Sequence, residues 1–216
     1  SALKTCGEML EKVSQERIWS EFNRILEGQR APEVLERMRI DGVLSRILPG
    51  WDAELESQHE LSTSEEDVVV CRLVLLSSNI PATRWRVLDH DMRSLTIPNH
   101  TRNRVLKLHR IIGHLPHDMS SSRRYRICID EDVNAHLDIE SAFNQTTADV
   151  ARMLIEKTPK PKGGIRPLVD GHQLSSVSDL PSGRRLGRLK EWLYRLQIDQ
   201  DLATDEEVLA WLDIIE

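Results

Sequence analysis

Aromatic residues are scarce in this 216-residue chain: two Phe, two Tyr and five Trp, 4% in all. Facing sheets draw on aromatic and β-branched side chains, and their turns on glycine. With ten glycines as well, a β-sandwich is excluded. Cysteine is rarer still. Cys6, Cys71 and Cys128 stand far apart with no Cys-x-x-Cys pair. That excludes a disulfide framework and a cysteine-zinc site and points to a reducing compartment. No apolar run reaches membrane-spanning length, because VVVCRLVLL at 68–76 is broken by Arg72. The first residues lack a leader pattern. The expected location is the cytoplasm, or an organelle, with no membrane partner.

A phosphoryl-transfer centre is missing too. That chemistry needs metal-binding carboxylates beside a phosphate-gripping turn. Asp130-Glu131-Asp132 and the pair Asp89 and Asp91 are the nearest strings, and neither follows a glycine turn. The first reads as a solvated loop. His90-Asp91 and His117-Asp118 have the wording of a phosphohydrolase metal site, with His100, His109 and His114 nearby. Their spacing does not converge ligands, so they read as surface or capping histidines. No catalytic residue and no metal ligand is expected in this chain.

What is present is Leu, Arg and Glu, the residues of helices. Net charge is −6, unevenly spread. Residues 71–128 hold eleven Lys and Arg against three Asp and Glu, a local +8, between flanks of −7 each. A basic middle between acidic flanks suits a surface that meets phosphates. It equally suits a solvated face paired with its acidic neighbours, and both readings stand at this point.

The local signals divide the chain into helices. Ser14 is an N-cap, Glu16 suits the first turn, and Ile18, Phe22, Ile25 and Leu26 form one apolar face. Arg17 and Glu21 are spaced to pair. Pro32 opens a second helix with Val34, Leu35 and Met38 inward, ended by Gly42. Val43 to Leu48 is a third, stopped by Pro49-Gly50. Residues 52–67 read as a loop. Helices follow over 67–77, 85–95, from Pro98, and over 142–157. In the Pro98 helix Val105, Leu106, Leu108, His109 and Ile112 face inward, with Arg102, Arg104, Lys107 and Arg110 outside. Between them, Tyr125, Ile127 and Ile129 alternate, as in one short strand near 125–129 or an extended connection. Thr158 to Gly164 (TPKPKGG) reads as a linker. Arg184 to Leu196 carries Leu186, Leu189, Leu193 and Leu196 on one side. Thr204 and Glu207 form a capping box for a last helix burying Val208, Leu209, Trp211 and Leu212.

The wording of two stretches is more specific than their periodicity. SQERIWSEF at 14–22 and APEVLERMRIDGVLSRILPGW at 31–51 resemble the neck of the class II tRNA nucleotidyltransferase and bacterial-type poly(A) polymerase family. PLVDGHQLSSVSDLPSGRRLGRLKEWL and ATDEEVLAWL resemble its tail, with Gly171, Leu174, Pro181, Gly183, Gly187 and Leu189 on the pattern and Gln173 where the family usually has Asp. The resemblance implies an all-α, elongated protein with a neck (1–50), a helical body (51–165) and a tail (166–216) that binds the tRNA arm. It implies the RNA-handling portion of a CCA-adding enzyme, or of a poly(A) polymerase, lacking the catalytic head. The head would then be a partner, upstream or on a separate chain. The parent would transfer CMP and AMP from CTP and ATP with Mg²⁺, and this chain would hold no cofactor itself. The neck residues Glu16, Arg17 and Glu21 would support nucleotide selection. A stand-alone helical RNA-binding or protein-interaction scaffold is the alternative.

The tail supports a physical argument of its own. Gly183 precedes a helix whose first turn offers free N–H groups, while Arg184, Arg185 and Arg188 crowd the same end against the dipole. That conflict points to a bound anion, with tRNA or another structured RNA as the partner. Arg102, Arg104, Lys107, Arg123 and Arg124, from the basic middle, are the remaining RNA-binding candidates.

Overall fold

The computed structural model describes residues 13–49, 51, 61, 65–115, 126–178 and 180–212. The described residues are all-α: helices joined by turns, with no strand among them. They are α1 (Gln15–Glu27), α2 (Ala31–Ile40), α3 (Leu44–Ile47), α4 (Glu65–Leu76), a 3-10 turn (Ala82–Arg84), α5 (Trp85–Ser94), α6 (Asn99–Ile111), α7 (Val133–Phe143), α8 (Gln145–Glu156), α9 (Gly171–Val177), α10 (Arg184–Asp199) and α11 (Asp205–Leu209). Among the described residues no helix is long and apolar enough to cross a membrane.

The chain forms two compact units. One comprises residues 1–116 and 134–149, the other 117–133 and 150–216. In the first, the Ser14 hydroxyl caps α1 by accepting from Arg17 N, and Phe22 and Leu26 are buried. Pro32 lies in the first turn of α2. Gly42, at φ 68°, ends that helix. Its N–H donates to Arg39 O and that of Val43 to Met38 O, the paired bonds of a Schellman motif. Ala31 and Leu35 form the inner face of α2, whereas Val34 turns outward. α4 is the axis of the unit, buried from Val68 through Ser77 except at Arg72. Around it pack Leu44, Leu48, Trp51, Leu88, Met92, Val105 and Leu108. A helix apolar on all sides belongs at a core, which is what its near-continuous Val and Leu run dictates.

α7 departs from the expected pattern. The sequence reads as one helix over 142–157, but two helices meet at Asn144, whose Oδ1 accepts from Thr147 N at 3.1 Å. Every residue of α7 from Ala135 to Ser141 is buried, including His136, Asp138 and Glu140. The polar atoms are satisfied locally. His136 Nε2 lies 3.1 Å from Ile111 O and 3.2 Å from Glu140 Oε1. Gly113 N donates to the same carboxylate oxygen at 2.6 Å. Asp132 is also buried, so the Asp130–Asp132 string is not a solvated loop.

Residues 126–128 are helical, so the strand near 125–129 does not form there. Arg126 pairs with Asp199 at 2.5 Å and Cys128 Sγ lies 3.7 Å from Ile155 O, so the helical turn is held to α10 and α8 by its side chains. Tyr125 lies outside the described residues. The second unit packs Val169, Leu174, Leu186, Leu193 and Val208 together, with Leu189, Leu196, Leu209, Trp211 and Leu212 against them. The Lys-Pro-Gly stretch at 158–164, inside this unit, is a docked strap rather than a free linker. Lys162 N donates to Asp201 Oδ1 at 2.8 Å and Tyr194 Oη donates to Ile165 O at 2.8 Å. A Cβ at Gly163 would fall 2.4 Å from Leu202 O, so glycine is what lets this backbone lie down.

Candidate nucleic-acid interface

In the tail, Asp170 caps α9 with a complete capping box. Its carboxylate accepts from His172 N and Gln173 N, and Gln173 Oε1 accepts from Asp170 N. These backbone bonds hold the Asp170 carboxyl below the usual carboxylate range. Gln173 Nε2 also donates to Asp205 Oδ2 at 3.1 Å, tying α9 to α11. An Asp at 173 has no N–H to donate to Asp205, so the tie between α9 and α11 depends on the amide of Gln173. At α11, Thr204 Oγ1 accepts from Glu207 N, as its spacing predicts. Glu207 reaches Ala203 N instead of the Thr204 N–H, so the box is displaced by one residue.

α10 begins at Gly183, whose φ of 146° lies in the region that favours glycine, with no side-chain cap. Arg184, Arg185 and Arg188 are exposed. None of the three has an acidic partner among the described residues. Gly187 lies in the same helix, exposed, and a Cβ there would meet nothing within 4 Å. Nothing inside the chain therefore asks for glycine at 187. Trp192, one turn beyond Arg188 on the same side, is 38% exposed. Basic residues interleaved with an aromatic at helical spacing are a nucleic-acid signal. Trp192 is legible in that spacing and is absent from the sequence-derived set.

The middle candidates fare differently. Arg102 is nearly enclosed; it donates to Asn99 Oδ1 at 2.5 Å and lies 3.4 Å from Asp89. Asp89 also accepts from Arg93 at 2.8 Å, which engages the carboxylate of the Asp89 and Asp91 pair. Arg104 pairs with Asp67 on α4. Lys107 is half-buried. Helical spacing places these cations outward on α6, but acids on neighbouring helices draw the arginines in. Arg123, Arg124 and the His117-Asp118 pair lie outside the described residues. In the neck, Glu16, Arg17 and Glu21 are all exposed. Glu21 pairs with Arg24 at 3.4 Å rather than with Arg17.

Residues 1–55 match the family model described as the probable RNA and SrmB-binding site of polymerase A. The match covers about a quarter of the chain. At that coarse level it supports the poly(A) polymerase and CCA-adding family, with RNA as the partner. No curated protein and no solved structure matches the chain.

Proposed function

We propose that this chain is the RNA-holding portion of a nucleotidyltransferase that adds CMP and AMP to tRNA 3′ ends. The observation that carries the reading is the family match over residues 1–55. The Gly183 end of α10 supports it. There, three exposed arginines without acidic partners among the described residues stand beside a glycine that no contact with those residues requires. On this reading the neck (1–50), with Glu16, Arg17 and Glu21, supports nucleotide selection. The body follows over 51–165, and the tail (166–216) lies along the tRNA. CTP, ATP and Mg²⁺ belong to a head domain that carries the chemistry.

The description of the matched family favours a second version, in which the parent is a poly(A) polymerase. The head separates the two: joined to it, transfer of CMP as well as AMP to tRNA marks the first version, and transfer of AMP alone marks the second. The reading as a whole is tested by titrating tRNA binding against salt. Phosphate contacts give a steep linear fall of log affinity with log salt concentration. The pure chain incorporates no labelled CTP or ATP. Weak, salt-independent binding returns the protein to the scaffold class, and robust incorporation overturns the division of labour.

A further inference from the structure

Most described arginines of the first unit are engaged within the chain. Arg24, Arg30, Arg37 and Arg39 pair with acids on or beside their own helices, Arg93 and Arg102 with Asp89, and Arg104 with Asp67. Arg17 and Arg46 are exposed with no ion pair among the described residues, and the same holds of Arg84, Arg86 and Arg110. Two of them, Arg86 and Arg110, meet at one aromatic ring. The guanidinium carbon of Arg86 lies 5.4 Å from the centroid of the Trp85 ring, and that of Arg110 lies 5.3 Å from it. Arg84 immediately precedes the ring in the 3-10 turn. Arg86 belongs to α5 and Arg110 to the last turn of α6, so tertiary packing assembles the group.

Two guanidinium groups on one ring repel each other, and no carboxylate of the described residues relieves them. The ring holds both side chains in place in advance of any ligand. A guanidinium held this way presents a fork of N–H donors that matches a phosphate, and a plane on which a nucleobase stacks. Stacking requires a base released from its own duplex, so the surface fits a single strand. We propose that Arg84, Trp85, Arg86 and Arg110 form a contact for a single-stranded segment of the bound RNA. The proposal rests on the RNA-binding reading above and places a second contact on a different unit of the chain from Gly183.

The test uses the full chain and two labelled probes, an unstructured RNA oligonucleotide and an RNA duplex of equal length. The Arg86→Ala/Arg110→Ala variant is expected to bind the single strand about tenfold more weakly or worse. Its log–log salt slope falls by about 1.4, from roughly 0.7 per lost phosphate contact on a single strand. Duplex binding changes much less. Trp85→Ala gives the same selective loss, and Trp85→Phe, which keeps a ring, restores most of it. Should Trp85→Ala melt early by circular dichroism, the arginine variant decides, since both its side chains are exposed. Unchanged single-strand binding overturns the proposal, also if an acidic peptide proves to bind the group instead. Equal loss on both probes overturns the single-strand assignment. If the unaltered chain binds neither probe nor tRNA, the RNA reading itself fails. If it binds tRNA through Arg184 and Arg185 alone, only this contact fails.

Discussion

The guanidinium of Arg72 donates to the carbonyl oxygen of Gly28 at 2.8 Å, across 44 residues of chain. It also donates to Leu26 O. One half-buried cation on α4 thus reaches carbonyls that α1 leaves open at its end. Burial pulls the Arg72 pKa below the ordinary arginine value, but a guanidinium keeps its charge at neutral pH. The residue that breaks the apolar run 68–76 is the one that fastens the neck helix to the core.

Replacing it should therefore cost stability. Arg72→Met keeps the length and apolar stem but takes the guanidinium away from the Leu26 carbonyl and leaves Gly28 O only the Ala31 N–H. Hydrogen bonds to charged groups contribute about 1.5–3 kcal/mol, and a loss of that size is expected in urea unfolding. Arg17→Ala is the control, because Arg17 is exposed and Glu21 pairs elsewhere. It should change stability by less than about 0.5 kcal/mol. If the two variants unfold alike, Arg72 is not the tie.

At the tail, Arg184→Ala/Arg185→Ala should weaken tRNA binding similarly across sequences. The log–log salt slope should fall by roughly 2, one for each lost phosphate contact. Thermal stability should hold or rise slightly, because two cations leave a helix N-terminus. Unchanged affinity and slope would remove this helix end from the interface.

Gly187→Ala separates folding from binding. A glycine inside an exposed helix costs about 0.5–1 kcal/mol relative to alanine, and the Cβ meets nothing here. The variant should be more stable by that amount. On the proposed tail contact its tRNA affinity should drop, since the added methyl group would obstruct a phosphate approaching this backbone. A variant that is more stable and binds equally well shows that nothing approaches Gly187.

His109 makes the first unit sensitive to acid. Burial holds its pKa below the ordinary histidine value, against the Ser77 and Ile80 carbonyls, which favour the protonated ring. The unfolded chain takes up this proton first as pH falls. Its contribution to stability is therefore complete above about pH 6.5 and is lost as pH falls from there toward the lower folded value. His109→Gln should flatten the fall in melting temperature across that window relative to the unaltered chain. Parallel pH profiles would show that other groups set the slope.

The N-terminal helices were legible because their signals are local. Ser14, Pro32 and Gly42 act within a turn of where they stand, and each does what its chemistry allows. The rest depends on distant partners. α7 hides its helix behind His136, Asp138 and Glu140, which become core residues once Ile111 and Gly113 meet them. Asn144 caps α8 and parts it from α7, a local signal that the reading of one helix over 142–157 misses. Arg102 and Arg104 point outward by periodicity and are claimed by Asp89 and Asp67. Composition alone made 158–164 a linker, since a strap that docks through Gly163 uses the same residues. In the candidate site, the arginines after Gly183 could be read from the helix start. The Trp85 group could not, because Arg110 is 25 positions away in sequence.

Burial of α7 also sets an order of events during synthesis. The first unit takes residues 134–149 only after a stretch that belongs to the second, so a nascent chain ending near residue 116 cannot close its core. Cys71, fully buried on α4, has its thiol 3.6 Å from the carbonyl of Ala135. Until α7 arrives, the Ala135 carbonyl that this thiol meets is absent. The time at which the Cys71 thiol becomes unreactive therefore clocks the closing of the unit on the ribosome.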